Sequence, residues 1–211
     1  MIQSKEDYWF YLEADRLALG VNYERPKIFQ DEIWKFQRLL RKIEFLQNCG
    51  KKGLSGITFL YSQFSFAKLS VKLGFTIPPN VFGPGLSIAH RGTIVVNSGV
   101  RVGKNCRISH CVTIGTGCYA PTLTTSDLVP TIGDNVFIGP GAVIVGDIEI
   151  ADGIAIGANS YVCTSFKESN ITIAGCPAKK ISNKGSKDCW HRATEIMEAN
   201  KTLETFPNRK R

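Results

Sequence analysis

Among 211 residues there are only three histidines, His90, His110 and His191, and two of them are spaced for proton chemistry. Imidazole is the side chain whose ordinary pKa lies nearest neutrality, so a neutral histidine is the usual general base. His90 follows Ile88 by two residues, and His110 follows Ile108 by two. If those isoleucines lie one above the other in successive turns of a repeat, the imidazoles share a face about 4.8 Å apart, the spacing of neighbouring strands. Two imidazolium ions that close would repel, which keeps at least one ring neutral near pH 7. The spacing nominates His90 as a base and His110 as its partner or a substrate contact. His191 lies outside the repeats and reads as a surface residue. The seven cysteines are irregularly spaced, odd in number and without a C-x-x-C pair. That pattern fits reduced thiols in a cytoplasmic protein rather than a disulfide framework, and Cys118 has no base beside it to make a nucleophile.

The elements that must position the histidines show in the second half of the chain. Ile132, Ile138, Ile144, Ile150, Ile156 and Val162 recur every six residues, and Val136, Ala142, Ile148, Ile154 and Ser160 each follow four later. Neither a helix nor an ordinary strand has that period. A hexapeptide repeat does, and it marks a parallel β-helix. Each hexapeptide is one flat side of a triangular coil, eighteen residues make a turn, the aliphatic points inward and the residue four later fits the corner. The beat also runs through Ile88–Ile94–Val100 and Val102–Ile108–Ile114. Two extra residues, expected between Ile94 and Val102, bring Ile108 onto Ile88 after twenty.

The rest of the chain reads as additions to this coil. Residues 1–75 form a helical region, with helices expected over Lys5–Leu19, Asp31–Gln47 and Phe59–Leu73. Residues 76–181 are the repeat body, and residues 182–211 a tail with one short helix within Lys187–Leu203. Between Thr116 and Thr131 the beat lapses into a long loop, of the kind that is usually functional when a solenoid expels it. The net charge of +8 is spread over the flanks with no dense stripe, which argues against nucleic acid and suits a polyanionic small molecule. No apolar run approaches the roughly 18–20 residues that span a bilayer. Met1–Asp7 lacks the apolar core of a signal peptide.

Several segments resemble the hexapeptide-repeat acyltransferases, within them the serine acetyltransferase branch and its polysaccharide O-acetyltransferase relatives. They are Gly85–Asn97, Cys111–Gly117, Ile138–Ala142 and the closing Ala174-Gly-Cys-Pro-Ala-Lys179. The resemblance implies a left-handed parallel β-helix, against the usual crossover handedness, assembled as a homotrimer with active sites between subunits. It implies that His90 takes the proton of an acceptor hydroxyl as that hydroxyl attacks the thioester of acetyl-CoA, with no metal. It further implies that backbone N–H groups around Gly115 and Thr116 stabilise the oxyanion, that coenzyme A lies along Pro140, Gly141 and Ala158, and that Lys179 meets its phosphates.

Departures from the family pattern bear on the acceptor. Ala89 stands where serine acetyltransferases carry an aspartate, Leu128-Val129 where they carry Arg-His, and Thr76-Ile77-Pro78-Pro79 where they carry Asp-Ile-His-Pro. Holding zwitterionic serine needs a charge for each end, and none stands at those positions. The expected acceptor is therefore a neutral hydroxyl of a sugar or glycan precursor. The alternative is serine O-acetylation, with contacts supplied by Asp15 or Glu13. A zinc enzyme of the γ-carbonic anhydrase type would need three histidines on adjoining coils, and only two qualify.

Overall fold

The computed structural model describes residues 1–27, 30–50, 55–117 and 128–205. Its centre is a three-sided coil of parallel strands. One side stacks Phe75–Thr76, Ile94–Val96, Val112–Gly115, Val143–Val145 and Tyr161–Val162. A second stacks Arg101–Val102, Thr131–Ile132 and Glu149–Ile150. The third stacks Ser87–Ile88, Arg107–Ile108, Phe137–Ile138, Ala155–Ile156 and Thr172–Gly175, and ends in an antiparallel strand, Ala178–Ser182.

The register is the one the hexapeptide beat dictates. Ile132 pairs with Ile150, Ile138 with Ile156 and Ile144 with Val162, all eighteen residues apart. One coil earlier, Val102 pairs with Ile132, Ile108 with Ile138 and Ile114 with Ile144, all thirty apart. The excursion after Thr116 therefore adds twelve residues to one turn without disturbing the stack. The inward isoleucines from Ile88 to Ile156 are essentially inaccessible. Each fully buried aliphatic of this kind contributes about 1.5–3 kcal/mol. Corner positions take the left-handed conformation through Asn105, Asn135 and Asn159, which tolerate it better than most residues.

Ile88 does pair with Ile108, but the two extra residues do not lie where the beat suggested. Val96, not Ile94, pairs with Ile114, and Ile94 pairs with Val112. Eight residues thus separate Ile88 from Val96, against six from Ile108 to Ile114. The insertion widens the corner Ala89–Thr93, which carries His90. Counting aliphatics missed this because Ile94 and Val96 are both buried and either could keep the beat.

The helices are α1 (Lys5–Ala18), α2 (Glu32–Cys49), α3 (Ser55–Leu73) and α4 (Ala193–Thr205). Ser4 caps α1 by accepting a hydrogen bond from the Asp7 N–H at 3.0 Å, satisfying a donor the helix leaves open. An ionic knot joins α1 and α2 to the first coil. Arg41, fully buried, donates to Asp15 (2.8 and 3.3 Å), to Glu44 (2.9 Å) and to the carbonyls of Phe82 (2.8 Å) and Gly83 (2.7 Å). Asp15 also accepts from the N–H groups of Gly85 and Leu86, both at 2.9 Å. The strand leading to His90 thus hangs on one carboxylate of α1. At the opposite end of the sequence, Thr194 of α4 exchanges hydrogen bonds with Asn105 at 2.7 and 3.1 Å, fastening the tail across the coil.

Candidate active site

Stacking carries the spacing argument into three dimensions. Two residues after Ile88, Ile108, Ile138, Ile156 and Ile173, successive members of one sheet side, come His90, His110, Pro140, Ala158 and Gly175. They form one column at one corner of the coil. The rings of His90 and His110 meet edge to face, centroids 5.9 Å apart at 73°. His90 is exposed and His110 half-buried. The buried Nδ1 of His110 has no hydrogen-bond partner. Gly92, at φ +127°, makes the close corner possible, since a Cβ there would come to 3.1 Å from that of His110. The backbone carbonyl of His110 accepts from Gly141 N–H at 3.0 Å, tying the histidine rung to the next.

Pro140 and Gly141 lie one rung beyond His110, and Ala158 two, where it is exposed. Lys179 is exposed on the closing hairpin, opposite Ala174. Gly115 and Thr116 are not in this cluster. Val112–Gly115 is an extended strand running away from the histidine corner, and three steps at about 3.3 Å each carry Gly115 roughly 10 Å along that side. Cys118 and most of the expelled loop lie outside the described residues. Among the described residues, no group of three or more His, Cys, Asp or Glu side chains is placed to hold a metal ion.

The charges for an acceptor were expected from the wrong acids. Asp15 is consumed by Arg41 and two backbone N–H groups, and Glu13 by Arg16. Other acids come instead to the histidine corner. The start of α2 packs beside it, and a cavity of about 200 Å³ lies between Asp31, Glu32, Trp34, Ile88, Ala89 and Arg91. Glu32 pairs with Arg91 at 2.6 Å and Lys72 at 3.3 Å. Its carboxyl is held below the usual range by its own backbone N–H first, then by Lys72. Asp31, in the left-handed conformation at φ 63°, accepts from the Tyr23 hydroxyl at 2.6 Å and from the Lys27 N–H at 3.0 Å, and the tyrosine bond chiefly lowers its pKa. A cation and two carboxylates thus line a cavity beside Ala89, next in sequence to His90, which is not among the cavity's lining residues. Sequence reasoning missed them because they arrive from a helix nearly sixty residues upstream. Val129 packs against the core, so its apolar character serves packing rather than marking the acceptor.

The coil and its histidine corner define a class before they define a reaction. The chain carries the bacterial transferase hexapeptide (six repeats), whose family model matches residues 130–164. Its homologues are serine acetyltransferases. The enzyme of that name from Buchnera aphidicola subsp. Acyrthosiphon pisum is 38% identical over 145 residues, covering 68% of this chain and 48% of the relative. The chain spans about half the length of the curated relatives it matches. Among solved structures, serine acetyltransferase from Neisseria gonorrhoeae in complex with serine superposes with a TM-score of 0.65 at 27% identity, over 85% of this chain and 71% of the other. A serine acetyltransferase in complex with CoA gives 0.64 at 26%, over 85% and 72%. None of these relatives is named for the sugar or glycan acceptor that Ala89 and Leu128-Val129 suggested, or for polysaccharide biosynthesis.

Proposed function

We propose that the chain is an acetyl-CoA-dependent O-acetyltransferase with L-serine as acceptor and His90 as general base. The observation that carries the reading is the corner column, in which two edge-to-face imidazoles lead directly into the small residues Pro140, Gly141 and Ala158. A thioester arm lying along those rungs meets no large side chain before it reaches the histidines. The acceptor oxygen attacks the thioester carbonyl carbon as His90 takes its proton. The tetrahedral intermediate then collapses, the C–S bond breaks, and the imidazolium returns the proton to the departing thiolate. No covalent enzyme intermediate is needed, because the thioester is already activated.

Serine rests on the relatives' names and on the cavity beside Ala89. Its volume of about 200 Å³ is below the roughly 300–1,000 Å³ of sites for drug-sized ligands. Arg91, paired with Glu32 at 2.6 Å, would exchange that partner for the serine carboxylate, and Asp31 and the released Glu32 would then meet the ammonium. The coil is left-handed and the assembly a homotrimer in this reading. The site is shared between two protomers in this reading, Gly115 and Thr116 serving the histidines across the interface and Lys179 reaching the donor's phosphates. A neutral sugar hydroxyl is the second reading, favoured by Ala89 where the family carries an aspartate.

Thiol release from acetyl-CoA, measured against L-serine, free sugars and nucleotide sugars, decides between them. The serine reading expects a kcat/KM of about 10⁴ M⁻¹s⁻¹ or above, and a raised KM for serine in Arg91→Ala. Efficient turnover of a sugar with serine inert establishes the second reading instead. Release with no hydroxyl acceptor at all overturns O-acetyl transfer.

A further inference from the structure

We propose that α3 and the basic cleft beside it form a docking surface for an anionic lipid bilayer. Helix α3 is apolar on two faces. Phe66, Leu69 and Leu73 face the coil core. On the opposite side Ile57, Leu60, Tyr61 and Phe64 fall at i, i+3, i+4 and i+7, one continuous stripe, with Val71 two turns further along. These five are 65–85% exposed, and large apolar side chains clustered this way mark an interaction surface rather than ordinary scatter. The stripe opens into a cleft of about 600 Å³ between α2 and α3, where Tyr61 and Phe64 meet Lys35, Arg38, Lys42, Lys68 and Lys72. No carboxylate lines that cleft. Outside that lining, Glu32 pairs with Lys72 at 3.3 Å and Asp31 interacts with the charge of Lys35.

The pairing of features selects the occupant. An apolar helix stripe edged by lysine and arginine is the composition of a helix lying in the plane of a bilayer interface, apolar side chains among the acyl chains and cations among the headgroups. A second copy docked through this same patch about a two-fold axis would set five cations against five, a like-charge contact that costs binding. A nucleic acid would be met by aliphatic Ile57, Leu60 and Val71, which cannot stack on bases as aromatic rings do. The surface is independent of the acceptor's identity, and it would bring the chain to a membrane without any membrane-spanning helix, of which there is none among the described residues.

Co-sedimentation of the full chain with vesicles tests this. Phosphatidylcholine alone is compared with equal parts phosphatidylcholine and phosphatidylglycerol, at low and high salt. Binding is expected to the anionic vesicles only and to weaken with salt. Lys68→Glu should lower it about tenfold or more, and Leu60→Ser with Phe64→Ser at least as much, while circular dichroism and thiol release stay unchanged. Equal sedimentation with both vesicle types, or binding indifferent to both variants, overturns the proposal. So does light scattering in which the wild type is larger than the serine variant while neither binds vesicles, which assigns the stripe to a second copy. Retention on RNA with no vesicle binding overturns it as well.

Discussion

Replacing Arg41 by Met should destabilise the protein by an amount that depends steeply on pH. Arg41 donates five hydrogen bonds from a position of zero exposure, and its partners Asp15 and Glu44 are 0% and 1% exposed. Methionine keeps much of the volume but leaves two carboxyl groups without their cation. Removing one partner of a buried ion pair costs about 3–5 kcal/mol, and here two acids are orphaned. Each can avoid burying a charge by binding a proton. From an unperturbed value of about 3.9, this costs about 4.2 kcal/mol for Asp15 at pH 7, at about 1.36 kcal/mol per pH unit. Burial already raises the Asp15 pKa against the pull of Arg41; without that cation it stands higher still in the folded variant, so the contribution of Asp15 to stability is present at low pH and lost as pH rises. Moving from pH 7 to pH 5 should return up to about 2.7 kcal/mol to the variant through Asp15. Urea denaturation at the two pH values reads this directly. A loss under 1 kcal/mol at pH 7, or one equal at both pH values, would refute the reasoning that Arg41 neutralises both acids.

The remaining predictions concern the site. His90→Ala should lower turnover by roughly 10²–10⁴-fold with acetyl-CoA affinity nearly intact, and His110→Ala should cost less; steady-state kinetics with the true acceptor checks both. Ala158→Phe, at an exposed position in the corner column, should leave the melting temperature unchanged while raising KM for acetyl-CoA about tenfold or more. Asp31 and Glu32 are held below the usual carboxylate range, so what they add to stability is complete above about pH 4–5 and falls away as pH drops through their lowered values. Asp31→Asn should flatten the acid limb of the melting temperature against pH.

The coil was legible because its determinants are local and periodic. One inward aliphatic every six residues fixed the register, and with it the stacking of His110 on His90, without any tertiary information. What the periodicity could not reveal was where an insertion falls when two candidates, Ile94 and Val96, are both apolar and both buried. Charges crossing from other elements were equally hidden. The acids at the start of α2 reach Ala89 because the helix is seated on the first coil through Phe36, Leu40 and the Arg41 knot, and nothing in the residues around His90 announces them. Asp15 looked available for a substrate for the same reason, since its engagement with Gly85 and Leu86 spans some seventy residues of chain.

The corner column also makes distance in this protein a discrete quantity. From His90 to Gly175 is four rungs, about 19 Å at the strand spacing, and the spacing belongs to backbone hydrogen bonds that no side-chain substitution alters. A molecule laid along the column is measured in whole coils. Shortening the span by one step means deleting one whole coil, such as the eighteen residues that separate Ile138 from Ile156, and a deletion of part of a coil carries later side chains out of their column. Gradual change in what such a corner accepts is therefore confined to places where the lattice is already broken: the widened turn at His90, the excursion after Thr116 and the closing hairpin.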